Sequence, residues 1–163
     1  MRYLGATIAS VALSALAVPS GIAQQASGHG HVVVAPSDMK WMAAPSLPPG
    51  AQIAVIEGPL NQPGPFTFRA KFPANYHIPP HSHPNVEHVT VISGTFDVGL
   101  GDKADKSQAK SLMPGAFAIV QPGAPHYAWT GDETTIQVHG VGPWDIKYVN
   151  PEDDPRATTG SAR

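Results

Sequence analysis

The chain has 163 residues, 10 basic against 12 acidic side chains, 8 histidines and no cysteine. A formal net charge of −2 argues against a nucleic-acid or anionic-membrane partner, and the lack of cysteine excludes both a disulfide framework and a thiolate metal site. Glycine and proline are abundant, 16 and 18 residues, and no useful helical period runs beyond the first 23 residues, which points to short strands joined by turns.

The chain opens MRYLGATIASVALSALAVPSGIAQQ: one arginine, an apolar run, the helix-breaking Pro19, then small residues at Gly21 and Ala23. This is the three-part plan of a secretory signal peptide, with cleavage expected near Ala23 and a periplasmic or secreted mature protein. The apolar run is short and diluted by Gly, Thr and Ser, so no stable membrane anchor is expected. Residues 24–31, QQASGHGH, read as a flexible mature N-terminus. His29 and His31 repeat a His-x-His spacing there but lack a nearby carboxylate. One domain is expected over residues 32–150, and the polar tail 151–163 is expected to be disordered.

Within that domain, residues 32–34 read as a short strand and Gln52–Glu57 as another. Residues 66–72 alternate cleanly, with Phe66, Phe68, Ala70 and Phe72 turned to a core and Thr67, Arg69 and Lys71 away. Strand patterns recur at 95–100, 117–120, 134–141 and 145–149, and the charged segment 101–110 reads as a solvated hairpin tip. Together these runs predict an all-β sandwich or closed barrel.

Two stretches carry chemistry. The first is His81-x-His83-x3-Glu87-x6-Gly94, in which the two imidazoles point to one face of an extended chain and can grip one ion. The second, Gly115-x5-Gln121-Pro122-Gly123-Ala124-Pro125-His126, supplies a further imidazole after a tight turn. By chance the His-x-His-x3-Glu pattern should occur on the order of 0.01 times in such a chain.

The pair of stretches resembles the two motifs of the cupin family. The resemblance implies a jelly-roll barrel in which His81, His83, Glu87 and His126 are the metal ligands and Gly94, Gly115 and Gly123 the turn glycines. Three positions depart from the family pattern: Asn75 stands for an opening glycine, the proline is shifted to Pro122 behind Gln121, and Thr130 replaces a final asparagine. Asn tolerates the left-handed region best among non-glycine residues, so Asn75 is expected to serve. The implied cofactor is one divalent transition metal ion, Fe, Mn, Zn, Ni or Cu. The implied activity is dioxygenase-, decarboxylase- or isomerase-type chemistry on a small molecule, with a non-catalytic ligand-binding or sensing module as the alternative. No nucleic-acid partner is expected, and a homodimer is left open.

For the rest of the pocket the candidates are Tyr76, His77, Trp129 and His139, with His88 and Tyr127 weighed beside them. His77 shares parity with His81 and His83 and is expected to face inward near the mouth as an acid–base group. His88 has the opposite parity to Glu87 and should face out, while His139 is undecided between pocket and surface.

Overall fold

The computed structural model describes residues 31–159. These form eleven strands: β1 (Met42–Ala43), β2 (Gln52–Glu57), β3 (Gly64–Phe72), β4 (His77–Ser82), β5 (Glu87–Ser93), β6 (Phe96–Leu100), β7 (Lys110–Leu112), β8 (Phe117–Val120), β9 (His126–Thr130), β10 (Thr134–Gly142) and β11 (Lys147–Tyr148). One sheet runs β1-β2-β3-β10-β5-β8 and the other β11-β4-β9-β6-β7. All pairings are antiparallel, so this is the expected all-β jelly roll. Among the described residues no helix is long and apolar enough to cross a membrane.

Strict alternation builds the core. In β3, Phe66, Phe68, Ala70 and Phe72 are buried, and opposite them on β10 lie Ile136 and Val138. The two sheets meet through contacts such as Phe72 on Phe96, with ring centroids 5.9 Å apart. Burying such rings is the main stabilising term for a chain without disulfides, each fully buried phenylalanine contributing about 2–3 kcal/mol.

Turn chemistry fixes the ends of the strands that carry the motifs. Asn75 takes φ 57°, the left-handed conformation expected of the missing glycine. Gly94 has φ 77°, and a Cβ there would lie 2.5 Å from the Glu133 carbonyl oxygen, so the loop behind the first motif closes only over glycine.

Three expectations are corrected. Residues 32–34 form no strand; Val32 and Val33 stand 64% and 89% exposed, with no partner strand among the described residues. Only Lys147–Tyr148 of segment 145–149 is strand. The tail is not disordered through residue 159. A 3-10 turn (Pro151–Asp153) leads into a short helix, α1 (Pro155–Thr159), held down by Arg156, whose guanidinium donates to Asp145 Oδ1 at 2.8 Å and to the Ile146 carbonyl at 2.7 Å. The polar composition predicts disorder, whereas in the structure Arg156 reaches back from this segment to Asp145 and Ile146. The expected signal peptide and most of the flexible N-terminus lie outside the described residues.

Candidate metal centre

Both motifs meet at one end of the barrel. The end of β4 carries His81, His83 follows it directly, Glu87 opens β5 and His126 opens β9. A backbone bond joins the motifs, the Gly123 N–H donating to the His83 carbonyl at 2.8 Å. All four side chains are buried, at 3–6% exposure.

The histidines are oriented by their own hydrogen bonds. Nδ1 of His81 lies 2.7 Å from the Pro79 carbonyl, Nδ1 of His83 2.8 Å from the Asp145 carbonyl, and Nδ1 of His126 3.1 Å from the Ala124 carbonyl. A carbonyl can only accept, so each Nδ1 carries the proton and each Nε2 presents a lone pair. Burial pushes all three rings below the usual histidine pKa, His83 to about 4, so at neutral pH they are uncharged donors.

One potential ligand atom from each of His81, His83 and His126 lies within 4.8 Å of the other two, and this set can hold a metal ion. Glu87 Oε2 stands 3.4 Å from His83 Nε2 and 3.7 Å from His126 Nε2. Ligand atoms that share one ion at about 2.1 Å stand about 3–4 Å apart. Acceptors facing acceptors at that distance require a proton or a cation between them. Burial raises the Glu87 pKa to about 7, against the opposing pull of His126. The Trp144 indole N–H lies on the Glu87 side without making a hydrogen bond of normal geometry.

Beside His81, His83, His126 and Glu87 is a cavity of about 50 Å³ whose other walls are apolar, among them Phe72, Ile78, Val89, Val98 and Val138. Trp144 also lines it, its ring stacked on His83 at 4.8 Å and 20°. Sequence reading missed Trp144: it sits between Pro143 and Asp145 with no periodic signal, and only folding lays it on His83. The carbonyl of Asp145 was equally invisible, since a backbone group carries no residue-type signal.

The other pocket candidates lie elsewhere. His77 does not line the cavity, which corrects the parity expectation. The β4–β9 register runs His77↔Trp129, Ile78↔Ala128, then His81↔His126, so one extra residue on β4 forms a bulge. Pro79 and Pro80 have no N–H to give the ladder, and the bulge between Ile78 and His81 inverts the alternation, so Ile78 and not His77 points in. His77 stacks on Trp129 at 4.8 Å on the outer face. Tyr76 is buried against Phe72, and its hydroxyl donates to the Pro48 carbonyl. The Tyr127 hydroxyl donates to the Asp105 carbonyl at 3.1 Å, so the segment 101–110 covers a core tyrosine as well as facing solvent. His139 stacks on His88 at 5.0 Å on the outer face of the larger sheet.

A jelly roll whose two motifs gather buried imidazoles at one end of the barrel is the architecture of a cupin with a potential metal centre. The chain belongs to the ChrR cupin-like domain family, whose model matches residues 29–145. No curated protein matches it in sequence. Among solved structures, it is similar to the polyketide cyclase RemF from Streptomyces resistomycificus, at 19% identity over 82% of this chain and 95% of that one, with a TM-score of 0.63. A putative acetylacetone dioxygenase from Methylibium petroleiphilum shares 15% identity over 84% of this chain and 98% of its own, with a TM-score of 0.60. An RmlC-like cupin from Shewanella frigidimarina shares 14% over 69% and 91%, with a TM-score of 0.54. At these identities the likeness is one of fold.

Proposed function

We propose that the protein is exported and binds one divalent transition metal through His81, His83, His126 and Glu87, and that it is an enzyme acting on a small, two-oxygen chelating molecule. The observation that carries this reading is the gathering of one ligand atom from each of His81, His83 and His126 within 4.8 Å of one another, with a Glu87 oxygen beside His83 and His126, next to an apolar cavity. The signal-like segment ending near Ala23 supports export. A bound ion would supply Lewis acidity or a redox centre, and four protein ligands on an ion that prefers six leave two positions for a substrate or dioxygen.

The chain's own residues limit the chemistry. No Lys or Arg lines the cavity, so a substrate carrying a charged group away from the metal is disfavoured. With His77 on the outer face, Glu87 is the one carboxylate among the lining residues, so proton transfer there falls to it or to the substrate. This sparseness also favours a second reading, a metal-dependent binding module without turnover.

The test is anaerobic loading of the apo-protein with ferrous iron, followed by nitric oxide and electron paramagnetic resonance. An iron–nitrosyl signal that changes on adding small diols or diketones is expected. Stoichiometric iron without that signal would mean that no position is open, and the enzyme reading would fall.

A further inference from the structure

A second cavity of about 210 Å³ lies outside the first, lined by Pro45, Ser46, Ile53, Leu60 and Asp145 and by three residues that line the inner one as well, Leu47, Phe68 and Trp144. The shared residues are therefore the wall between the chambers. Trp144 is its largest element, packed face-on against His83 at 4.8 Å and edge-on against Phe68 at 5.1 Å and 64°. Its backbone is fastened from the outer side, the Trp144 N–H donating to the Leu60 carbonyl at 2.6 Å. Leu47 is 9% exposed and belongs to the buried core, so this part of the wall is packed.

At 10–15 Å³ for each water-sized group, the inner cavity holds roughly four such groups and the outer one more than ten. The first therefore has room for no more than a short chelating head, while a chain of several methylenes needs the second. We propose that Trp144, with Leu47 and Phe68, sets substrate length: the wall confines the ligand to a short chelating head and withholds an apolar chamber that would otherwise bind a long tail. This rests on the metal-centre reading above and adds to it the size of the substrate. Truncating one of these side chains is expected to join the chambers.

The test uses chelators that need no knowledge of the substrate. Cobalt(II)-loaded protein is titrated with acetohydroxamic acid and with octanohydroxamic acid, and binding is followed by the cobalt d–d absorption and by calorimetry. Each methylene buried in the outer chamber is worth about fourfold in affinity, so even two of the six added ones exceed tenfold. For the wild-type protein, acetohydroxamate should bind at least as tightly as the longer acid. In Trp144→Ala and in Leu47→Ala, the affinity ratio of long to short acid should rise about tenfold or more, with Trp144→Phe between. Leu47→Ala makes no direct change at a ligand and carries the prediction by itself if Trp144→Ala fails to fold. A ratio unchanged in both variants, or a wild-type protein already preferring the long acid by tenfold, overturns the wall. Failure of cobalt-loaded protein to bind even the short acid overturns the open metal centre and the wall with it.

Discussion

Two groups of histidines pack equally closely in this molecule, and only one of them is arranged so that it could hold a metal ion. Between the sheets, His81 and His126 have ring centroids 4.2 Å apart, and the three rings are mutually tilted by 51–76°. On the outer face of the larger sheet, His88 and His139 are 5.0 Å apart but nearly parallel, at 13°. Tilted rings bring lone pairs to one point, whereas stacked rings keep theirs in separate planes. Hydrogen bonding draws the same line, since every inner Nδ1 meets a backbone carbonyl while the Nδ1 atoms of His88 and His139 are buried without a partner. Proximity of imidazoles is thus a poor guide to a metal site, and the carbonyl behind each ring is a better one.

The largest effect that separates the two groups is on metal content. His81→Ala, His83→Ala and His126→Ala should each weaken binding by more than about a hundredfold, as measured by chelator competition, because each deletes a direct bond. His88→Ala and His139→Ala should leave it within about twofold. Losses of equal size on both faces would erase the distinction.

Glu87→Gln comes next. An amide oxygen keeps the shape but loses the charge, and an affinity loss of about a hundredfold is expected if the carboxylate ligates the ion. Unchanged affinity would leave a site of three histidines alone.

A smaller effect tests the support behind a ligand. Arg156 holds the carboxylate of Asp145 and the carbonyl of Ile146, while the Asp145 carbonyl takes the proton of His83 Nδ1. Arg156→Ala should lower metal affinity about tenfold and Arg156→Lys should restore part of it. A loss of thermal stability with metal affinity intact would make the tail a brace for the fold only.

The smallest effect is on the pH dependence of the metal-free protein. The three inner histidines have lowered folded-state pKa values, so the stability they contribute is present above the unfolded value of 6.5 and is lost as pH falls through it towards the folded values, about 4 for His83. Glu87 runs the other way: with its folded pKa raised to about 7 from 4.5, it costs stability as pH rises between those values. Three groups oppose one, so the melting temperature of the apo-protein should rise by a few degrees from pH 4.5 to 6.5. The rise should be steeper in Glu87→Gln, where the opposing group is gone. An identical slope in the variant would mean that Glu87 is not held protonated.

Much of this was legible along the chain because it depends on residue type and short spacing. Alternation in β3 marked Phe66 to Phe72 as a core strand, Asn75 announced a left-handed turn, and the two motifs marked His81, His83 and His126 as the residues that would meet. Each is local physics: the pleat sends alternate side chains to opposite faces, and only glycine or asparagine takes positive φ at little cost. What tertiary structure alone decided involves an extra residue or a distant partner. The bulge at Pro79 and Pro80 turned His77 outward, because two residues without N–H groups cannot keep the ladder with β9 in step. Arg156 ordered the tail through acceptors 10 and 11 residues away in the chain. Trp144 came to lie on His83 across the barrel, between two chambers whose existence depends on how the sheets close. Sequence spacing names the groups that can ligate an ion; the walls around that ion are made of contacts between distant parts of the chain, and these are set only when the whole barrel packs.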